Sequence, residues 1–218
     1  MADTARISSL YQHGTSSKTP GFTQVISGHR IPKHDPACDI HGATDALANR
    51  LAKLSQMLDQ DYDGLVAEDD LYLIGFLRDN IYNVSGFCFT LGLDLSMSLG
   101  ETYRSRLDER ITQHQKNLDG TDFIAFSSEL TILIDECRIL VRQAERAYFA
   151  WLYDERIVGK RLEIFVKDPE KFLSCVDAQL STANALNTLS TWFFWLARSV
   201  AHKEHSRIKE WNPADTSQ

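Results

Sequence analysis

The strongest constraint on this chain is a helical period that returns segment after segment, with almost no period-two pattern to compete with it. Ala43, Leu47, Leu51, Leu54 and Leu58 recur at spacings of three and four, which lines them along one face of a helix. A linker carrying Asp59, Asp61, Asp63 and Gly64 follows. From about Leu71 an apolar-rich stretch through Leu73, Ile74, Leu77, Ile81, Val84 and Phe87 predicts a second helix, with Gly86 and Gly92 weakening its later turns. Ser98 and Glu101 have capping-box spacing before a third helix with Tyr103, Leu107, Ile111, His114 and Leu118, ended by Asp119 and Gly120. A fourth runs from about Ser127 to Tyr153. Asp168 followed by Pro169 is a strong start for a fifth, continuing to about Lys209. Its Trp192–Leu196 run is apolar all round and belongs inside a bundle or at a subunit interface. The expected fold is all-α, a five-helix bundle.

Residues 1–40 have no helical period and are rich in Ser, Thr, Gly, Pro and His. Val25 and Ile26 suit a short extended piece, while Pro20, Pro32 and Pro36 break regular structure. The organisation expected is an irregular arm over 1–40, a helical bundle over 41–210 and a tail over 211–218. No internal repeat is evident.

A chain of 218 residues with 43% apolar side chains can bury one sizeable core. Its net charge of −7 disfavours nucleic acid and anionic membrane as partners. The four cysteines are scattered, which suits reduced thiols in the cytoplasm better than disulfides or a zinc site. The N-terminus has neither signal-peptide nor transit-peptide character. The most apolar window, Leu189 to Ala201, is too short to cross a bilayer and contains Arg198. A soluble, cytoplasmic protein is expected.

Arg138, Arg142 and Glu145 form the sharpest chemical cluster. At i, i+4 and i+7 they share one helix face, about a third of a turn from the centre of the apolar stripe. Two guanidiniums one turn apart can grip a phosphate chain, and a carboxylate beside them can hold a magnesium ion. On spacing alone, a solvated face with ordinary ion pairs is the simpler reading. Asn187 interrupts an apolar run and either donates to a ligand or is a satisfied polar group between helices. Gly14 to Lys18 form a polar cluster whose backbone amides suit phosphate, without Walker spacing. No helical His pair with metal-ligand spacing and no Cys/His nucleophile pair emerges; His202 and His205 read as solvated.

Several of these signals fall in one order. Arg30-Ile-Pro-Lys33-His-Asp35-Pro and Gly42-Ala-Thr44-Asp45-Ala-Leu47 are followed by Phe123-Ile124. Then come Cys137-Arg138-Ile-Leu-Val-Arg142-Gln-Ala-Glu145-Arg146 and Leu186-Asn187-Thr-Leu189-Ser190. Together they resemble the PduO-type ATP:cob(I)alamin adenosyltransferases over roughly residues 10 to 205. The Arg-x-x-x-Arg-x-Ala-Glu-Arg element is the most specific part. The resemblance implies a homotrimer with sites between neighbouring subunits, transferring the 5′-deoxyadenosyl group of ATP to cob(I)alamin. By position, Gly14, Thr15, Lys33, Arg142, Glu145 and Asn187 would hold ATP, with Glu145 serving its magnesium ion. Asp45 and Arg138 would form an ion pair on the corrin side, and Phe123 would press on the lower corrin face. The product would pass to an adenosylcobalamin-dependent enzyme.

The departures cluster on the ATP side. The family's acid before Gly-x-Thr is lost at His13 to Lys18. Asp-Glu-Leu becomes Asp45-Ala46-Leu47, and Pro-Gly-Gly becomes Ala125-Phe126-Ser127. Gln143 replaces an arginine, Thr188 an arginine and Thr191 an aspartate. These changes motivate an alternative, a catalytically inactive corrinoid-binding paralogue acting as carrier, chaperone or sensor.

Overall fold

The computed structural model describes residues 21–25, 30–60, 64–116, 118, 124–204 and 209–210. Among them are seven α-helices: α1 (Pro36–Gln60), α2 (Glu68–Asn80), α3 (Tyr82–Phe89), α4 (Glu101–Gln115), α5 (Glu129–Leu152), α6 (Glu155–Lys167) and α7 (Pro169–Lys203). A 3-10 turn spans Leu95–Met97. Helix α5 packs along both α1 and α7, α4 lies against α7, and α2 and α3 cover α1. The five expected helices are therefore present, with α2 and α3 together standing for the second. They break only at Ile81, which keeps right-handed helical dihedrals and still donates its N–H to Leu77 O at 2.8 Å.

The core is the apolar stripe read from the sequence. Leu47, Leu51 and Leu54 of α1 and Ile134, Cys137, Val141 and Tyr148 of α5 belong to one core, and all are fully buried. Burying each such side chain contributes about 1.5–3 kcal/mol. In the Trp192–Leu196 run only Phe194 is partly exposed, so that part of α7 forms the bundle's centre.

Four local expectations are corrected. Helix α1 starts at Pro36, inside the stretch read as an arm, because Asp35 caps it: its Oδ1 accepts the Ala37 N–H at 2.9 Å. The Ser98/Glu101 capping box does not form. Gly100 is the cap of α4, and the Ser98 hydroxyl donates to Leu95 O instead. Residues 155–167, left unassigned by periodicity, form α6, whose side chains are mostly exposed apart from Ile157. Helix α7 ends at Lys203, and Lys209–Glu210 pairs antiparallel with Ile124–Ala125. The expected end of α4 at Asp119 and Gly120 lies outside the described residues.

Ahead of α1, β1 (Phe22–Gln24) and β2 (Arg30–Pro32) form an antiparallel ladder with Phe22 opposite Pro32. Gly21 takes φ +79°, which glycine adopts without strain, and its carbonyl accepts the Lys33 N–H at 2.8 Å. After α3 the chain reverses through Leu91 and Gly92 at φ 59° and 71°. A Cβ on Gly92 would lie 2.4 Å from Gln179 Nε2 and its residue would have to adopt a left-handed φ, so any other residue here is strained and displaces that amide.

Candidate functional site

The β1–β2 ladder, the start of α1 and helix α3 enclose a cavity of about 550 Å³. That is within the size range of small-molecule sites. Val25 and Phe89 give it apolar walls, and Thr23, Gln24, His41 and Ser85 supply polar groups. Lys33 stands at its edge, where the ladder turns into α1. Its ammonium has no protein partner among the described residues.

His41 sits between aromatic rings, 5.6 Å from Phe89 and 6.4 Å from Tyr82 by centroid, with Nδ1 3.4 Å from Ser85 Oγ. One turn further along α1, Asp45 Oδ1 accepts the Tyr82 hydroxyl at 2.8 Å. That bond raises the Tyr82 phenol's pKa and keeps its proton in place. Cys38 also lines the cavity, but burial first, then Asp35 and Asp39, push its thiol up to about 11. It stays protonated at neutral pH and is no nucleophile.

The second group of candidate residues lies on α5 and α7. Helical geometry puts Glu145, Arg138 and Arg142 at rising angles, about 70°, 90° and 130°, from the middle of α5's buried stripe. Their side-chain exposure climbs in the same order: 13%, 28% and 47%. Arg142 Nη1 is 3.8 Å from Glu145 Oε2, an ion pair but too long for a hydrogen bond. Asn187 is exposed on α7, where its backbone carbonyl accepts the Ser190 and Thr191 hydroxyls and its side-chain amide has no partner among the described residues. A carboxylate and a guanidinium so loosely matched remain available for another ligand. Neither the Arg138/Arg142/Glu145 face nor Asn187 is taken up in the core.

The expected Asp45–Arg138 ion pair is absent within the chain. Arg138 Nε donates to Asp135 at 2.5 Å, one turn back on its own helix, while Asp45 is held by Tyr82. The structure thus puts Lys33 on the cavity, ties Asp45 to it through Tyr82, and sets Arg142 beside Glu145 on one helix face. Among the described residues no hydrogen bond or ion pair connects the two groups. Gly14, Thr15 and Phe123 lie outside the described residues. His41 and Tyr82 were not singled out from the sequence. His41 stands four residues before Asp45 on the same helical face, a usable signal, whereas nothing local marks Tyr82.

In structure the chain is similar to an arginine-to-lysine variant of a PduO-type ATP:co(I)rrinoid adenosyltransferase from Lactobacillus reuteri complexed with ATP. The TM-score is 0.60 at 17% identity, over 92% of this chain and 100% of that one. A phenylalanine-to-histidine variant of a PduO-type ATP:corrinoid adenosyltransferase from the same organism, complexed with cobalamin and ATP, gives a TM-score of 0.61. Its identity is 18%, over 88% of this chain and 92% of that one. At such identities the likeness establishes the fold. No functionally curated protein matches the chain in sequence. The sequence profile described as cobalamin adenosyltransferase matches residues 14–200, so both groups of candidate residues fall inside it, and the chain belongs to the cobalamin adenosyltransferase family.

Proposed function

We propose that this protein transfers the 5′-deoxyadenosyl group of ATP to cob(I)alamin, forming adenosylcobalamin and triphosphate. The observation that carries this reading is the family match over residues 14–200, which spans the cavity and the α5 face alike. In the reaction, the cobalt electron pair forms a bond to C5′ as the C5′–O bond breaks, and triphosphate leaves with that bond's electrons. Cob(I) is already a strong nucleophile, so the protein's task is to position C5′, exclude water and neutralise the leaving group.

Arg142 supplies charge for the triphosphate, and Lys33, Asn187, Gly14 and Thr15 complete the ATP contacts. Glu145 is the carboxylate suited to magnesium. Glu145 fits such an ion: its carboxylate lies on the α5 face with the Arg142 guanidinium 3.8 Å away, and magnesium commonly takes one or two carboxylates together with phosphates and water. Phe123 is assigned to the lower corrin face.

The two groups of site residues are read as halves of one site completed by a second copy of the chain, in a homotrimer. Ile132, Ile139 and Phe149 are exposed on the side of α5 that carries Arg142, an apolar surface that a neighbouring copy would cover. An Asp45–Arg138 pair would then form across that boundary, with Tyr82 and Asp135 giving up their present partners. No helix among the described residues is long and apolar enough to cross a membrane. We place the protein in the cytoplasm, handing its product to an adenosylcobalamin-dependent enzyme.

Anaerobic visible spectroscopy with ATP, magnesium and reduced cobalamin tests the reading. Loss of the cob(I) band as the adenosylcobalamin band grows is the expected outcome. A flat trace overturns it, and a flat trace with separate cobalamin binding would instead establish the inactive paralogue. Family membership does not favour that alternative, although the altered residues around Gly14 motivate it.

A further inference from the structure

Arg156, the second residue of α6, reaches back to the start of α1. Its Nη1 donates to Asp35 Oδ2 at 2.7 Å, while Nε and Nη2 both donate to Asp154 at 2.8 Å. Asp35 is 2% exposed. Each of its polar groups is engaged: Oδ1 accepts from Ala37 N at 2.9 Å, its N–H donates to Pro32 O at 3.0 Å, and its carbonyl accepts from Cys38 N at 2.8 Å. Lys33 lies two residues earlier in the same turn, held by its own N–H on Gly21 O at 2.8 Å. One guanidinium therefore fastens the Lys33 turn to the junction between α5 and α6.

We propose that Arg156 is a positioning residue for the nucleotide, fixing Asp35 and through it the aim of Lys33 at the cavity edge. The inference rests on the adenosyl-transfer reading. Arginine is required because its planar fork grips Asp154 with two donors and keeps a third for Asp35, whereas a lysine offers one compact charge. Arg156 is itself partly exposed. Its loss strands no buried cation and acts through Asp35, whose Oδ2 is left buried and unpaired.

The test uses the full chain, with Arg156→Gln as the main variant and Arg156→Lys as the milder one. Arg156→Gln raises the KM for ATP about tenfold with kcat falling less than about threefold, and Arg156→Lys lies between it and the wild type. On a Lys33→Ala background, Arg156→Gln adds less than about twofold, because both changes remove one interaction. A merely structural role predicts independent, additive losses, and that result overturns the proposal.

Hydrogen exchange gives a readout that does not depend on turnover. The Ala37 and Cys38 amides exchange about tenfold faster in Arg156→Gln while those in the centre of α7 do not. Unchanged exchange at Ala37 and Cys38 overturns the clamp even if the enzyme is active. A wild type without product sinks the adenosyl-transfer reading and leaves the exchange result to decide the clamp.

Discussion

Asp70 and Glu145 are both carboxylates facing arginines, and the contrast between them separates the part of this molecule that holds shape from the part open to chemistry. Asp70, on α2, is 0% exposed. Arg110 grips it with Nε and Nη2 at 3.0 and 2.7 Å, His114 Nε2 lies at 3.3 Å and Trp192 Nε1 at 3.0 Å. Three helices, α2, α4 and α7, thus meet on one ion. Burial alone would raise its pKa, but the hydrogen bonds from His114, Arg110 and Trp192 prevail and bring it down to about 2. Among the described residues, Glu145 has only the Arg142 guanidinium, at 3.8 Å. A saturated carboxylate has no valence left for a ligand, whereas an under-satisfied one at a helix face does.

The sharpest way to break this contrast is Asp70→Ala, which leaves Arg110, His114 and the Trp192 N–H without their shared acceptor. Unfolding by denaturant should show a loss of about 3–5 kcal/mol. A loss below about 1 kcal/mol would mean that the cluster is not structural. Next in size is acid sensitivity. A carboxyl that sits at about 2 in the fold and at the ordinary 3.8 when unfolded binds fewer protons folded, so its contribution is complete above about pH 4 and fades as pH falls toward 2. That contribution is about 2 kcal/mol. Asp70→Asn should flatten the stability profile across this window, and a profile that keeps its wild-type slope there would refute the assignment.

On the open side, Arg142→Ala should raise the KM for ATP at least about tenfold, some 1.4 kcal/mol of binding. Arg138→Ala should act mainly on kcat, the step at cobalt. Equal and negligible effects of both would remove α5 from the site. The smallest expected effect is the stability change from Arg142→Ala, under about 0.5 kcal/mol, because the pair it breaks is partly exposed and long. A larger loss would make Arg142 a structural residue after all.

The two clusters were unequally visible in the sequence. Arg138, Arg142 and Glu145 lie on one helix, so a period of 3.6 residues was enough to align them. Asp70, Arg110, His114 and Trp192 come from three helices and share no local spacing, and Asp70 is one of three acids in the first turn of α2, with nothing local to set it apart. The same logic explains two starts of the same type. Asp168-Pro169 reads directly as a helix beginning, and Asp168 Oδ1 does accept the Lys171 N–H at 3.0 Å. Asp35-Pro36 is the same signal, but a loop-like neighbourhood rich in Pro and His hid it, and the long-range Arg156 contact that secures it is not local at all.

The sequence by itself determined five of the helical segments, their buried faces and the family, though not α6, because apolar period, caps and an Arg-x-x-x-Arg-x-Ala-Glu-Arg spacing are properties of neighbouring residues. Tertiary structure alone decided which polar groups are spent. It gave Asp45 to Tyr82, Asp70 to Arg110, His114 and Trp192, and Asp35 to Arg156. The physical reason is that hydrogen-bond satisfaction depends on which side chains reach one another once helices pack, and mostly on partners tens of residues apart in the chain.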